Sequence, residues 1–376
     1  MTEASAGSFK EYTAGTGSEV PSGGMEEHAA GTGSEMPSGG MEEPVAAAGS
    51  EAPAEPVSVT LSFAGDCTLG MDPAFTYASS FNAQYDQEGP AYFFAQVRDI
   101  FERDDLTVVN FEGTLTESRD RADKTWAFRG ERAYAEVLAK GAVEAANLAN
   151  NHSSDYGPDS FQDTKEALET AGIETFGYED TAIVEVKGVK VGLLGMYTVY
   201  ENEAYPTYLK HAVKALKDRG AALIVASFHW GLERSYVPEA DQVALAHEAI
   251  DAGAHLVIGH HPHVLQGIEI YRGRYIVYSL GNFCFGGNCD PPDYDCIIFQ
   301  QTFTITNGVP AEDNGIQIIP CSVSSVSGWN NYQPTPAEGE EKTRILEKLR
   351  EISREIPSAI PDGTGEKGVQ WDDAGA

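Results

Sequence analysis

The chain contains a series of short apolar β segments, and each of them ends in a cluster of polar residues. Helical patterns lie between several of these segments, and this alternation limits the folds that the chain can adopt. Residues 57–65 (VSVTLSFAG) lead into Asp66, residues 106–111 (LTVVNF) into Glu112, and residues 222–227 into His229. Alternation of strands with helices favours parallel pairing with the helices outside, and the carboxyl ends of such strands are where ligands bind. The pattern therefore predicts an α/β domain with a site at one sheet edge.

The remaining segments follow from period-two and helical apolar patterns. Further strands are predicted at 183–186, 189–194, 256–258, 267–271, 275–279, 297–305 and 315–322, and helices at 158–171, 209–219, 239–252 and 340–355. Turns at Lys187-Gly188 and Arg272-Gly273 predict two hairpins, and a turn at Gly65-Asp66 is predicted to end the first strand.

The first 56 residues differ in composition from the rest of the chain. They contain ten Glu and one Lys, and residues 14–27 recur as 30–43 with one substitution. A segment without apolar periodicity cannot bury a core that offsets its ordering entropy. We therefore predict a disordered acidic tether with a tandem 16-residue repeat at 1–56, a folded domain at 57–335, and a C-terminal helix with a flexible tail at 336–376.

The charge balance restricts the partners. The formal net charge of −33 argues against nucleic acid, since phosphate backbones bind clustered Lys and Arg, and it suits divalent cations. No apolar run is long enough to span a membrane and no signal-peptide pattern occurs, so the chain is cytosolic or has lost a targeting segment. An acidic spacer of this kind favours a lost targeting segment over a cytosolic location.

The five cysteines leave two alternatives open. Their spacing does not match a zinc knuckle, and they are consistent either with at least one disulfide or with ordinary buried thiols. The residues concerned are Cys67, Cys284, Cys289, Cys296 and Cys321.

Carboxylate, amide and imidazole groups follow the predicted strands, and together they are the donors that divalent metals use. Each has a structural alternative, such as a turn aspartate, a helix N-cap or a packed His–Trp pair. His261 and His263 are the strongest pair, because alternate residues of an extended segment face the same side. The donors are Asp66, Asn110, Glu112, Asn151, His152, His229, His261 and His263.

From residue 57 to about 325 the chain resembles the CapA/PgsA group of poly-γ-glutamate capsule biosynthesis proteins, which are similar to calcineurin-like metallophosphatases. The motifs that carry the resemblance are Gly65-Asp66, Asn110-Phe111-Glu112-Gly113, Ala149-Asn150-Asn151-His152, Asp155-Tyr156-Gly157, His229-Trp230-Gly231-Leu232-Glu233, Gly259-His260-His261-Pro262-His263 through Gln266, and Ser279-Leu280-Gly281-Asn282-Phe283.

The resemblance implies a four-layer α/β/β/α sandwich with a centre for one or two divalent ions, Mn²⁺, Zn²⁺ or Fe²⁺. Glu112 would bridge, Asp66 and His263 would complete one metal site, and Asn151, His229 and His261 the other. His152 would protonate a leaving oxygen, oriented by Asp155. Asn110, Glu233, Gln266, Ser279 and Asn282 would orient the ligands or contact substrate. Apart from the resemblance, Arg129 is a candidate contact for an anion in this acidic chain, with a surface salt bridge as the alternative.

Two departures from the phosphatase pattern weaken the inference to a two-metal phosphoesterase. Thr68 stands where a histidine ligand is usual, and the bridging residue is Glu112 instead of aspartate. Three functions remain: a cell-surface metal-dependent hydrolase or transferase of poly-γ-glutamate capsule synthesis or export, a non-catalytic scaffold that binds capsule polymer or membrane partners, and a secreted metal-dependent phosphoesterase. The resemblance further implies poly-γ-glutamate or another anionic polymer as a partner, capsule-synthesis membrane proteins as others, and a lipoprotein anchored outside the cell by a segment preceding this sequence.

Overall fold

The computed structural model describes residues 55–311 and 315–356. Nearly all of the predicted tether and the predicted flexible tail lie outside the described residues. Within the described ranges the strands are β1 Val57–Thr68, β2 Leu106–Phe111, β3 Thr114–Leu115, β4 Arg129–Gly130, β5 Ala145–Asn147, β6 Glu174–Phe176, β7 Ala182–Val186, β8 Val189–Tyr197, β9 Leu223–His229, β10 Leu256–His260, β11 Ile268–Tyr271, β12 Arg274–Val277, β13 Asn282–Phe285, β14 Asp295–Thr306, β15 Val309–Pro310, β16 Gly315–Ser322 and β17 Thr335–Pro336. The α-helices described are α1 Phe81–Glu88, α2 Arg98–Phe101, α3 Glu136–Lys140, α4 Pro158–Thr170, α5 Tyr205–Asp218, α6 Ala240–Ala252 and α7 Gly339–Arg354, with 3₁₀ turns at Tyr77–Ser79 and Arg132–Ala135.

Two mixed sheets organise the chain. The larger has the order β17-β16-β14-β1-β2-β5-β6, with β13 beside β1 and β15 beside β14, and the other has the order β11-β12-β10-β9-β8-β7. Neighbours in the series β1-β2-β5-β6 and β8-β9-β10-β12 are parallel, whereas β14, β16, β7 and β11 pair antiparallel. The predicted α/β class is confirmed, and the parallel pairing holds in the middle of each sheet but not at its margins.

Three apolar clusters hold these elements together. One contains residues of both sheets, among them Phe63 of β1 and Val225 of β9. A second joins the larger sheet to residues of α1–α4, and a third joins the other sheet to α5 and α6. The C-terminal helix α7 places Ile345, Leu349 and Ile352 in the first cluster. No helix in the part of the chain that the structure describes is long and apolar enough to span a membrane.

Most predicted elements are present, and one predicted turn is wrong. Both hairpins form, β7 with β8 and β11 with β12. The turn predicted at Gly65-Asp66 is instead the interior of β1, where the pairing with β2 shifts register between Ala64 and Asp66. A Cβ at position 65 would lie 2.0 Å from the Gly281 carbonyl oxygen, so glycine permits the close approach of that neighbouring loop.

All five cysteines are free thiols, which supports ordinary thiols over a disulfide. Cys67, Cys284, Cys296 and Cys321 are completely buried, and Cys289 is half-buried. Cys296 and Cys321 face each other across β14 and β16. Their burial raises the pKa of both thiols, as expected for unreactive core cysteines.

His255 links β9 and β10 and gives a pH-dependent prediction. Its Nδ1 accepts a hydrogen bond from the Ile224 N–H at 3.1 Å, and burial lowers the pKa of the imidazole to about 4. Below its usual pKa the unfolded chain binds a proton that the folded chain does not, so acid removes stability. Between pH 7 and pH 5 we expect the free energy of unfolding to fall by about 1–2 kcal/mol more in the wild type than in His255→Gln. Urea unfolding at both pH values measures this difference, and equal losses in the two proteins would contradict it.

Candidate metal centre

The carboxyl ends of strands from both sheets meet at one edge. In the larger sheet Asp66 of β1 is in register with Asn110 of β2 and with Asn282 of β13. In the other sheet His229 of β9 is in register with His260 of β10. The two edges touch, since His260 Nδ1 lies 3.4 Å from Asp66 Oδ1.

A first group of donors consists of Asp66, Glu112 and His263, whose ligand atoms all lie within 4.8 Å of one another. His263 Nδ1 is 3.2 Å from Asp66 Oδ2, and its Nε2 is 3.7 Å from Glu112 Oε1. Both carboxylates are completely buried. Two carboxylates and an imidazole at this spacing form a partial coordination shell for a borderline divalent metal.

A second group adjoins the first and consists of Asn151, His229 and His261. His229 Nε2 is 2.7 Å from Asn151 Oδ1 and 3.0 Å from His261 Nδ1, so three donor atoms face one another. Burial lowers the pKa of both imidazoles, that of His261 to about 3. Neutral imidazole is the form that binds metal.

Two asparagines fix the orientation of these groups. Asn282 donates from Nδ2 to the His263 carbonyl oxygen at 3.2 Å, so its Oδ1 accepts from His263 Nδ1 at 2.8 Å. His263 Nε2 faces Glu112 at 3.7 Å, and although burial lowers the pKa of this imidazole, the Glu112 and Asp66 carboxylates outweigh that effect and raise it to about 10. Asn110 donates to Asp66 Oδ1 at 2.8 Å and lies 3.3 Å from His229 Nδ1. Partners that set the tautomer of an imidazole are typical of metal centres.

Glu112 provides the test of whether a metal fits here. It is completely buried, and neither of its carboxylate oxygens has a hydrogen-bond partner among the described residues. Burial raises the pKa of this carboxyl, while the pKa of Asp66 stays low because contacts with His260 and His263 outweigh the effect of its own burial. A buried carboxylate without a partner is costly unless a cation neutralises it. The donor set therefore fits a divalent ion.

His152 lies beside this cluster in a separate hydrogen-bond network. Its Nε2 is 3.7 Å from Glu112 Oε1, and its Nδ1 is 2.7 Å from Asp155 Oδ2. Lys124 contacts the Asn151 carbonyl oxygen, His152 Nδ1 and Asp155 Oδ1 at 2.8, 3.2 and 2.8 Å. A histidine held on one nitrogen by a carboxylate, with the other nitrogen facing a site, is an arrangement used for proton transfer.

Comparison with known proteins identifies the family to which this chain belongs. The family model described as bacterial capsule synthesis protein PGA_cap matches residues 60–287, more than half of the chain. The chain belongs to this family. The resemblance to the CapA/PgsA group is thereby confirmed.

Three relatives of this chain have names that refer to capsule, PGA or polyglutamine synthesis. "Capsule biosynthesis protein CapA" of Bacillus anthracis is 31% identical over 257 residues, which cover 61% of this chain and 61% of the relative. "PGA biosynthesis protein CapA" of Bacillus subtilis is 31% identical over 60% of this chain and 63% of its own length. A "Probable polyglutamine synthesis accessory protein" of Mycobacterium tuberculosis is 29% identical over 58% and 66%. The chain thus spans less than two thirds of these relatives.

Four more predicted residues lie at different distances from the cluster. Ser279 donates to the Val264 carbonyl oxygen, and Gln266 bonds to Gln242 and to the Ser235 carbonyl oxygen, so both brace the loops around His261 and His263. Glu233 is exposed, although its charge raises the pKa of Glu112. Arg129 donates to the Ser118 carbonyl oxygen and stacks over Tyr156. Among its described contacts none is with a predicted ligand.

The backbone at two predicted ligands of this PGA_cap family member differs from the sequence-based expectation. His261 and His263 follow the end of β10 and have φ values of 96° and 57°, so the segment is not extended. The premise that alternate extended residues face one side is therefore wrong here. The side chains reach the cluster through a left-handed turn, a conformation that is uncommon for residues other than glycine and that concentrates at functional sites.

Three residues of the cluster were not predicted as site residues. Lys124 lies in an irregular segment that carries no periodic pattern, and only its contacts reveal it. His260 was noted only as one of the clustered histidines, yet it contacts Asp66. Asn147 donates to Asn110 Oδ1 at 2.9 Å and so supports the asparagine that orients Asp66. Asn147 is the last residue of β5, and the expectation that ligands bind at the carboxyl ends of parallel strands therefore applies to it.

Proposed function

We propose that this protein takes part in the synthesis or export of a poly-γ-glutamate capsule at the cell surface, through a mono- or dinuclear divalent metal centre used for hydrolysis or transfer. The observation that carries the proposal is the buried Glu112 carboxylate, which accepts no hydrogen bond and lies between Asp66, His152 and His263. Family membership and the names of the relatives supply the biological context.

The proposal includes a four-layer α/β/β/α sandwich of the calcineurin-like metallophosphatase type. Its support is the arrangement of apolar clusters, one containing residues of both sheets and one on the helical side of each sheet. Such stacking places the carboxyl ends of β1, β2, β9 and β10 at one edge.

In this proposal Asp66, Glu112 and His263 hold one ion, while Asn151, His229 and His261 hold a second that shares Glu112. Mixed oxygen and imidazole donors suit Mn²⁺, Zn²⁺ or Fe²⁺. An ion bound there supplies Lewis acidity that polarises a phosphoryl or carbonyl oxygen of the substrate.

Side chains of the protein would supply the proton that a leaving oxygen needs. His152 donates its Nδ1 proton to Asp155, so it acts as an acid once a second proton is bound at Nε2, the nitrogen on the side of Glu112. Asp155 is in turn fixed by the Phe128 N–H at 2.6 Å and by Lys124. His152 thus becomes the acid that protonates a leaving oxygen, and Lys124 and Asp155 position it.

The proposed partners are poly-γ-glutamate or another anionic polymer and membrane proteins of capsule synthesis, with the protein anchored outside the cell as a lipoprotein. The relatives named for capsule, PGA and polyglutamine synthesis support the choice of an anionic polymer as partner. Because the chain is strongly acidic, contact with a polyanion requires local positive charge, which bound metal and Lys124 would provide beside His152.

A turnover screen tests the proposal. Metal-loaded protein is offered phosphomonoesters, phosphodiesters and γ-glutamyl peptides, and we expect at least one class to be turned over. Replacement of His152 by alanine should lower that rate by about 10²–10⁴-fold, the range for loss of a general acid. The metal content should stay at the wild-type value, because His152 is not a proposed ligand.

The control for the screen is His211→Ala, which removes an exposed imidazole from α5. Full turnover by a metal-loaded His152→Ala protein would refute the catalytic role. Turnover confined to phosphate esters would instead favour a secreted metal-dependent phosphoesterase.

A non-catalytic scaffold is the second candidate, and one observation favours it. Thr68 is completely buried and its hydroxyl has no partner in the described chain, at the position where the phosphatase pattern has a histidine ligand. A centre that lacks one ligand would bind metal and polymer without catalysing a reaction of the polymer. Absence of turnover with every metal, combined with retained polymer binding, would select this candidate.

A further inference from the structure

A cavity beside Arg129 lies apart from the proposed metal centre. It encloses about 220 Å³, and none of the six proposed metal ligands lines it. The segment that follows β1, the strand β4 and the residues after β3 and β4 contribute to its walls. Its size suits one small molecule.

The Arg129 guanidinium is held in place at this cavity. Its Nη1 donates to the Ser118 carbonyl oxygen at 2.7 Å, and its central carbon lies 5.1 Å from the centre of the Tyr156 ring. A backbone hydrogen bond and an aromatic contact restrict the rotation of the side chain. Binding of a ligand by this group therefore costs less conformational entropy than binding by a free side chain.

One edge of this guanidinium is unused. Nε and Nη2 have no hydrogen-bond partner among the described residues, and both atoms are accessible to solvent. Arg129 forms no ion pair with the described chain, although acidic residues outnumber basic ones 58 to 25. The salt bridge considered for Arg129 is thus absent from the described residues. Nε and Nη2 together form a planar edge of two donors that matches the two oxygens of a carboxylate.

Two carboxylates restrict the ligand further. Glu117 and Glu131 line the same cavity and are exposed, and neither forms an ion pair with a cation of the described chain. They would repel a simple anion, whereas they would attract the ammonium group of a ligand that carries both charges. A second carboxylate on the ligand would again be repelled. The charges therefore favour a zwitterion with a neutral side chain.

We propose that this cavity binds the head group of an α-amino acid whose side chain is neutral. The ligand carboxylate accepts two hydrogen bonds from the open edge of Arg129, and its ammonium group pairs with Glu117 or Glu131. Met71 and Pro73, which also line the cavity, contact the side chain.

Two sources offer this head group. One is a free neutral amino acid, and the other is the amino-terminal unit of a γ-glutamyl chain, whose γ-carboxyl group is an amide. The site contains no proposed metal ligand, so the inference goes beyond the proposed function and does not depend on turnover.

Calorimetric titration of the full chain in chelator, with L-glutamine and with γ-L-glutamylglycinamide, tests the site. We expect saturable binding of one molecule per chain. Tighter binding of glutamine would assign the site to a free amino acid, and tighter binding of the glycinamide to a chain end. Nα-acetyl-L-glutamine lacks the ammonium group and should bind about fivefold more weakly than glutamine, as for a partly exposed ion pair.

Two variants separate the roles of the charged groups. Arg129→Lys keeps the positive charge but loses the edge of two donors, so it should weaken binding about tenfold, as for a lost hydrogen bond to a charged group. Glu117→Gln/Glu131→Gln changes only exposed side chains and should weaken binding about fivefold.

The matched controls are Arg103→Lys and Glu185→Gln/Glu340→Gln, which change exposed residues that do not line this cavity. Both should bind like the wild type, and equal weakening in them would mean that the overall charge governs binding. Absence of saturable binding would overturn the site. Wild-type affinity in Arg129→Lys, or equal affinity for glutamine and its acetylated form, would overturn it as well, whatever the metal content and the turnover screen show.

Discussion

The His261→Ala/His263→Ala protein is expected to lose its metal. Purified wild-type protein should contain about one or two equivalents of divalent metal, and the double variant less than about a tenth of an equivalent, because each proposed metal site loses an imidazole. His263 is the imidazole placed between Asp66 and Glu112, and His261 faces His229. Elemental analysis of untreated protein measures the content directly.

Folding is controlled separately in this experiment. Alanine at positions 261 and 263 keeps a Cβ, so the left-handed backbone there is no more strained than in the wild type. The matched control is His211→Ala/His247→Ala, which removes two imidazoles from α5 and α6 and should leave the metal content unchanged. Unchanged metal in the first variant would remove the basis of the proposed function.

Much of the fold was predictable where local patterns agree with tertiary burial. The bounds of β2 match the predicted 106–111, and α4 ends one residue before its predicted end. The helix α1 escaped prediction because only Phe81 of its eight residues is buried, so it has no apolar stripe. Tertiary packing of Phe81 against Phe93 and Tyr134 holds it instead.

The site was predictable to the extent that it follows strand ends. Asp66, Asn110 and His229 lie at or near the ends of their strands, where parallel strands place side chains together. The turn geometry of His261 and His263 was not predictable, since positive φ at histidine has no sequence signal. The position of Lys124 depends on a long irregular segment, and such segments are placed by contacts that sequence patterns do not encode.

Glu112→Leu should change the free energy of unfolding in opposite directions with and without metal. It therefore distinguishes the contribution of metal binding to stability from that of the fold itself. The wild-type carboxylate is completely buried with neither oxygen partnered. Replacing it by leucine removes a buried carboxyl that accepts no hydrogen bond, so the metal-free variant should unfold with a free energy about 1–3 kcal/mol higher than the metal-free wild type. Urea unfolding in chelator measures this difference.

Added metal should reverse that order. At a free metal concentration of 1,000 times its dissociation constant the wild type gains about 4.1 kcal/mol, whereas Glu112→Leu, which lacks the proposed shared ligand, gains little. Glu347→Leu is the control, since this exposed glutamate of α7 should leave the metal response intact. If the metal-free Glu112→Leu protein were instead less stable than the metal-free wild type, the carboxylate would contribute to the fold itself. Glu112 is therefore the residue at which stability and metal binding are expected to oppose each other, as expected of a proposed ligand that is completely buried.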